Sequence, residues 1–316
     1  MTGAPRVVLG MAAYKRPDTL ARTLESLLSQ TLRDFALVIV DDAPSSETRA
    51  IVETYAATGA PITYEGNARR LGMIGNWRRV FQRARELYPE SEYFAWVSDH
   101  DLWHARWLET LVAELDSAPD AVLAYPMHVQ ITATGVRMSA KQKPFDTFGV
   151  ADRGERLRRS ARYMLSGDMI YGLMRARALE AAGVFRPVIM PDRQVLLALS
   201  LYGQCRQVLQ VLWYREYLHR FDIGRQRKAF FPDGVPVHSY APPHLQHCAT
   251  LLWDFVIRGK GRPAFGRMAG LRYAASQLWW SIVRDLVRPK SDVRLKLRAL
   301  LRGRWLAADR PIDEPR

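Results

Sequence analysis

The chain has 316 residues, of which 48% are apolar and 25% charged, the balance of a folded globular protein and not of a disordered tail. Lys and Arg total 46 against 32 Asp and Glu, a formal +14, which favours an anionic partner such as nucleotide phosphate, nucleic acid or anionic lipid. Cys205 and Cys248 are the only cysteines, which supports neither a disulfide framework nor a structural zinc and makes a reducing, cytoplasmic setting the default.

The first apolar run, Val7 to Ala13, is too short for a signal-peptide core and meets Lys15 and Arg16 directly, so it reads as a strand. From residue 6 to 125, short β-branched runs alternate with helical patterns, the sign of β-α units around a largely parallel sheet. The expected order is strand Arg6–Ala12, helix Pro17–Ser29, strand Ala36–Val40, helix Ser46–Gly59, strand Ile62–Tyr64 and helix Gly75–Glu86. Strand Tyr93–Val97, helix Ala105–Ser117 and strand Ala121–Tyr125 follow. Leu20, Leu24, Leu27 and Leu28 show the helical spacing that lays one face on a sheet. Residues 126 to 160 turn polar and basic around Gly135, Pro144 and Gly149 and read as a loop over a site. Order resumes with Met169–Met174, helix Ala176–Ala182, helix Arg193–Tyr202 and a last strand Gln207–Tyr214.

The end of the chain differs in kind. Between Val256 and Leu306 there are thirteen Lys or Arg and two Asp, a net +11, interleaved with Phe265, Tyr273, Trp279, Trp280 and Trp305. Leu295, Leu297, Leu300 and Leu301 beside Arg294, Lys296, Arg298, Arg302 and Arg304 suggest a basic amphipathic helix, suited to a membrane surface or to packing on the rest of the chain. No run approaches the roughly 18 apolar residues of a spanning helix. The expected units are residues 1–242, with a nucleotide-binding half (1–125) and an acceptor half (126–242), and a basic helical region at 243–316.

Three acidic groups fall at strand ends: Asp41 and Asp42, then Asp99, His100 and Asp101, then Asp192. Two Asp one residue apart on a turn can both address one hard divalent cation, which can neutralise a diphosphate leaving group. Plainer roles stay open at this point: Asp41 and Asp42 could shape a turn or cap the next helix, Asp99 and Asp101 could cap helix Ala105–Ser117, and Asp192 after Pro191 is a good helix cap by composition.

The order of these segments resembles a known family. Tyr14-Lys15-Arg16-Pro17 after the first strand, Leu24 to Thr31, and Val38-Ile39-Val40-Asp41-Asp42 resemble the N-terminal half of the inverting family-two glycosyltransferases with the GT-A fold. Asn67-Ala68-Arg69-Arg70-Leu71-Gly72 with Asn76, and Phe94 to Trp103 around Asp99-His100-Asp101, resemble that family's segments before and at its D-x-D turn. Gly172 to Phe185 and Pro191-Asp192-Arg193 resemble its acceptor-side stretches, so the likeness covers about residues 6 to 220.

The resemblance implies an α/β fold of GT-A type, a Rossmann-like mixed, mainly parallel sheet flanked by helices, with the basic helical region as an extension. It implies a nucleoside-diphosphate sugar held by Ala12, Tyr14, Arg16, Asp41, Asp42, Arg70, Asn76 and Asp99. Mg²⁺ or Mn²⁺ would sit on Asp99 and Asp101, with Asp101 the stronger ligand, and Asp192 would be the general base for a single inverting displacement. The acceptor would be a glycan or lipid-linked hydroxyl, with an anionic membrane surface as a further partner and the inner face of the cell membrane as the place. Arg215, His219 and Arg220 could approach the diphosphate or lie in a solvated loop. A nucleotidyl transferase lacks support in the absence of a Gly-rich loop after the first strand. A nucleic-acid-binding or inactive scaffold protein would leave the acidic strand ends without a purpose.

Overall fold

The computed structural model describes residues 4–132, 134, 135, 137, 138, 144–216, 222–257 and 262–287. Its first half alternates strand and helix: β1 (Val7–Ala13), α1 (Pro17–Leu28), β2 (Phe35–Asp41), α2 (Ser46–Ala56), β3 (Ile62–Gly66), α3 (Gly72–Leu87), β4 (Tyr93–Val97), the short β5 (Leu102–Trp103), α4 (Trp107–Asp116) and β6 (Ala121–Ile131). Beyond these come β7 (Arg137–Met138), α5 (Arg153–Tyr163), β8 (Leu173–Arg175), α6 (Ala176–Ala182), α7 (Pro191–Leu199) and β9 (Gln204–Glu216). Four further helices, α8 (Ile223–Phe230), α9 (Pro243–Leu252), α10 (Arg262–Phe265) and α11 (Arg267–Val287), finish the described chain.

The strands form one sheet in the order β3-β2-β1-β4-β8-β6-β9-β5, with β7 pairing on β6. The β3, β2, β1 and β4 pairings are parallel, as is β6 with β9, while β8 runs antiparallel to both β4 and β6. Both faces are covered, and the period of two is read off each central strand. Val8, Val38, Val40, Phe94 and Trp96 face the layer that contains α3, α6 and α7. Val7, Leu9, Met11, Leu37, Ile39, Tyr93 and Ala95 face α1 and α4. Full burial of a side chain such as Trp96 contributes about 1.5–3 kcal/mol or more.

Two expectations are corrected. The strand expected to stop at Tyr125 continues to Ile131, crossing a bulge at Pro126–Met127 where the register shifts; proline lacks the N–H a regular ladder needs, so it reads as a stop unless a bulge absorbs it. The segment expected as a loop to residue 160 contains α5. That helix is almost wholly polar, but its inward Arg156 donates to the carbonyl oxygens of Ser200 (2.8 Å), Val150 and Ala151. Asp152 accepts from Glu155 N at 2.7 Å, so the start is capped. Leu157 and Ala161 also enter the core, but two apolar positions on an otherwise charged helix are too few for a periodic signal, and the Arg156 bonds to carbonyl groups leave no apolar trace.

Residues 243–257 and 262–287 join the main core: Leu251, Phe255 and Ala274 are buried in the same cluster as Phe94 and Trp96. The expected helix around Leu295 to Arg304, like His219 and Arg220, lies outside the described residues.

Gly10 lies where β1 meets α3. A Cβ there would sit 2.4 Å from Val80 Cγ1 and 2.6 Å from Phe94 Cζ, both buried side chains with no room to move. Gly10→Ala is expected to cost about 1–3 kcal/mol, read as a lower guanidinium midpoint at unchanged m-value. A midpoint equal to wild type would mean that α3 shifts freely.

Candidate active site

Parallel strands β1, β2 and β4 end on the same edge, where open α/β sheets leave a crevice. A cavity of about 250 Å³ opens there, lined by Ala12, Tyr14, Arg16, Asp42, Arg70, Asn76 and Asp99 together with Met73, Trp77, Ser98, His100, Tyr171 and Ala229. Seven of the residues expected to hold a nucleotide-sugar are thus brought together. Arg70 sets its guanidinium 5.0 Å over the Tyr14 ring, which joins the loop after β1 to the loop before α3. Lys15, between Tyr14 and Arg16, has a left-handed φ of 53°.

Asp41 and Asp42 diverge because successive side chains of a strand point to opposite faces. Asp41 turns away from the cavity: its oxygens accept from Ala43 N (2.9 Å) and the Tyr64 hydroxyl (3.0 Å), and burial raises its carboxyl. Asp41 is not among the residues that line this cavity, whereas its neighbour Asp42 is. Asp42 remains at the cavity wall but is engaged three times, by Asn67 Nδ2 (2.9 Å), Leu71 N (2.6 Å) and Gly72 N (2.8 Å). It caps α3 from a distant part of the sequence, where α3 has no side-chain cap of its own. Asn76 donates from Nδ2 to Val40 O (3.0 Å) and Ala13 O (3.3 Å), tying α3 to the ends of β1 and β2.

The Asp99-His100-Asp101 turn is held by α1. Thr19 Oγ1 donates to Asp99 O (2.8 Å) and Thr23 Oγ1 to Asp101 O (3.1 Å). Asp99 lines the cavity, accepting from Tyr14 N at 2.9 Å and pairing with His100 Nδ1 at 2.8 Å. Asp101 lies behind it. Trp213 Nε1 donates to Asp101 Oδ2 (3.0 Å) and Glu216 N to Asp101 Oδ1 (2.8 Å), and burial raises the carboxyl. The carboxylate expected to be the stronger metal ligand is thus the more enclosed one, and Asp99 is the one at the cavity. His100 spans the pair, with Nε2 3.8 Å from Asp101 Oδ1.

Among the described residues no three His, Cys, Asp or Glu side chains form a metal cage. The residues nonetheless fit Mg²⁺ or Mn²⁺, because such ions are commonly carried by one or two carboxylates with phosphate oxygens and waters completing the shell. Asp99 supplies a hard oxygen donor at the cavity wall, and Asp101 supports the turn from behind.

A second cavity, about 510 Å³, adjoins the first and shares Met73, Trp77 and Tyr171 with it. Gly167, Asp168, Met190, Asp192, Arg193 and Arg215 are among its lining residues. Met190 has the other left-handed non-glycine backbone, φ 55°, and it starts α7 so that Pro191 and Asp192 open into the cavity. Strained backbone of this kind concentrates at functional sites. Burial raises the Asp192 carboxyl, opposed by the Arg193 backbone N–H and guanidinium and reinforced by Asp168. Arg215, left open between diphosphate and solvent by its sequence position, donates to Asp168 Oδ1 at 2.7 Å.

Sequence reasoning missed Gly167, Asp168, Trp77 and Tyr171. Trp77 lies on the apolar stripe of α3 and reads as ordinary core; Asp168 and Tyr171 belong to a 3₁₀ turn, residues Asp168–Tyr171, with no periodicity to mark it.

Comparison with known proteins agrees with this geometry. The sequence profile of Glycosyl transferase family 2 matches residues 9–176. EpsE of Bacillus subtilis (strain 168), named a glycosyltransferase, is 30% identical over 158 residues, 50% of this chain and 49% of EpsE. The match therefore spans about half of that relative. S. aureus TarS superposes with a TM-score of 0.60 at 15% identity, over 93% of this chain and 46% of that one. Mannosyltransferase PcManGT from Pyrobaculum calidifontis, solved with GDP-Man and Mn²⁺, gives 0.53 at 14% identity over 96% and 81%. The strand order, the crevice and these superpositions define a GT-A fold, a mixed, mainly parallel sheet flanked by helices. The chain belongs to Glycosyl transferase family 2.

Gly167 is in contact with Asp192: a Cβ on it would lie 1.6 Å from Asp192 Oδ2. Its own backbone, φ −89° and ψ 6°, suits alanine. Gly167→Ala is expected to cost about 1–3 kcal/mol while turning the Asp192 side chain off its rotamer. A crystal structure of the variant with Asp192 unmoved would refute the contact.

Proposed function

We propose that the chain is an inverting glycosyltransferase that moves one sugar from a nucleoside diphosphate to an acceptor hydroxyl on a glycan or lipid-linked glycan. The observation that carries this reading is the pair of adjoining cavities, with Asp99 on one, Asp192 on the other, and Trp77 and Tyr171 as their common wall. The nucleoside diphosphate would occupy the first cavity among Tyr14, Arg16 and Arg70, where three side chains of mixed cationic and aromatic character suit phosphates and a base face. A divalent cation held by Asp99, with Asp101 behind it, would supply charge neutralisation for the leaving diphosphate.

Asp192 takes the acceptor proton. Its raised carboxyl makes it a stronger base than an exposed aspartate once ionised, and Gly167 leaves room for its oxygen. As the proton leaves, the acceptor oxygen bonds to the anomeric carbon and the bond from that carbon to the diphosphate oxygen breaks, with its electron pair departing on the nucleoside diphosphate. One displacement inverts the anomeric centre, so no covalent sugar-enzyme step is needed. Arg215, fixed by Asp168, keeps positive charge in the second cavity.

Calorimetric titration of UDP, GDP, dTDP and CDP, with and without Mn²⁺, tests the donor side. One nucleotide is expected to bind in a Mn²⁺-dependent way, and Asp99→Asn to weaken it about tenfold or more. Absence of binding by all four to folded protein would remove the support for a nucleotide-sugar donor.

The base is tested through pH. Asp192 must be ionised to act, so kcat/KM should fall as pH drops through its raised pKa, on a limb above the ordinary aspartate value of 3.8. Asp192→Asn should lower kcat by about 10²–10⁴-fold. A raised carboxyl pKa contributes stability below the unfolded-state value, which is lost as pH rises through the folded value. At neutral pH the ionised Asp192 is thus a net cost, and Asp192→Asn should melt no lower than wild type. An inactive variant that also melts much lower would point to a structural role.

A further inference from the structure

Helix α11 is built inside out. Gly270, Ala274, Gln277, Ser281 and Arg284, spaced by three and four, form its buried stripe. These small and polar residues pack closely: a Cβ on Gly270 would lie 2.7 Å from Phe255 O, Gln277 Nε2 donates to Ser281 Oγ at 3.1 Å, and Arg284 Nη1 donates to Ala161 O at 2.9 Å. Tyr273 and Trp280 pack against the core beside this stripe, and the opposite side carries further large apolar residues. Met268 is 73% exposed, Trp279 62% and Leu286 74%, with Leu271 exposed between them. Surface helices ordinarily place such residues inward, and a continuous outward stripe marks an interaction surface.

The end of α11 lies close to the element that leads into the second cavity. The Arg284 bond to Ala161 sets the end of α11 against the end of α5, and the next exposed residues there are Tyr163 and Leu165, the latter on the cavity lip. His244 pairs with Asp285 at 3.4 Å, which brings the start of α9 and its exposed Leu245 to the same end.

Charge selects the occupant. Arg267 and Arg272 flank the stripe and are exposed. From 288 to 306 the sequence continues with seven Lys or Arg and one Asp, interspersed with Leu295, Leu297, Leu300, Leu301 and Trp305. A second copy would set this cationic surface against itself. A nucleic acid would satisfy the charge but leave Trp279 and Leu286 in water along a stripe about six turns long, since 21 residues make up the helix. A bilayer with anionic headgroups satisfies both, because apolar groups enter the acyl boundary while Lys and Arg meet lipid phosphates.

We propose that the outward face of α11, with Arg267 and Arg272 beside it, seats the chain on an anionic lipid surface, the end of α5 that leads to the Asp192 cavity lying against the same helix. Among the described residues no helix is long and apolar enough to cross a membrane, so the attachment is to the surface. The proposal does not depend on which reaction the cavities carry out.

Co-sedimentation of the full chain with vesicles of phosphatidylcholine and phosphatidylglycerol in equal parts, and of phosphatidylcholine alone, tests it. Wild type should bind the anionic vesicles, less at high salt, and leave the neutral ones in suspension. The double variant Trp279→Asp/Leu286→Asp, altered only at exposed positions, should bind at least about tenfold more weakly at an unchanged melting temperature. Failure of wild type to bind, or binding of the variant equal to wild type, overturns the proposal. Light scattering that shows a wild-type dimer dissociated by the variant, without vesicle binding, would instead assign the face to a second copy and overturn it as well.

Discussion

The carboxylate of Asp101 joins the two halves of this molecule. It accepts from Trp213 Nε1 and Glu216 N, and so holds the turn after β4 against the end of β9, more than a hundred residues away in sequence. A charge that enclosed is costly unless its oxygens are satisfied, and here both are. The consequences spread outward from that contact. Trp213 packs 4.9 Å from Tyr171, which belongs to the wall between the cavities, and Glu216 forms an ion pair with Arg22 on α1. Arg215, between them in sequence, is delivered to Asp168. The relative position of the two cavities is therefore set by one buried acid and its two N–H partners.

A second layer of polar ties shapes the first cavity. Asp42 caps α3, Asn67 bridges Asp42 and Asn76, and Asn76 closes on the carbonyls at the ends of β1 and β2. All these groups are enclosed, and each has partners, so they stiffen the crevice without leaving unsatisfied donors or acceptors. Just outside this net Tyr14, Arg16, Arg70 and Asp99 line the cavity. The two left-handed residues, Lys15 and Met190, stand one beside each cavity. Strain at both places is what a site would show if the chain is bent to present Tyr14 on one side and Asp192 on the other.

The helices after residue 242 have a double character. Their inner side completes the core through Leu251, Phe255 and Ala274, and supports the segments around the second cavity through Arg284 and His247, whose Nε2 lies 2.8 Å from Ile189 O. Their outer side leaves Trp279 and Leu286 exposed. Small residues inward allow α11 to lie close to α5 and α9, with Tyr273 and Trp280 packed at the side of that contact and Met268, Leu271, Trp279 and Leu286 left outside it.

The sequence by itself determined the layered α/β architecture, because period-two apolar strands and period-three-to-four helices can bury both faces of a sheet in few ways. It also located the acidic strand ends, since Asp41, Asp42, Asp99, Asp101 and Asp192 stand out against apolar runs. Tertiary structure alone decided which of them meet the cavities. At the end of β2 Asp41 accepts from Ala43 N and the Tyr64 hydroxyl while Asp42 lies at the cavity wall, and the contact with β9 encloses Asp101 while Asp99 stays at the opening. It decided equally that Arg156 would hold α5 by carbonyl groups and that Gly167 would make room for Asp192. Periodicity records which side of an element is buried, but hydrogen bonds and close approaches between elements far apart in sequence leave no periodic trace.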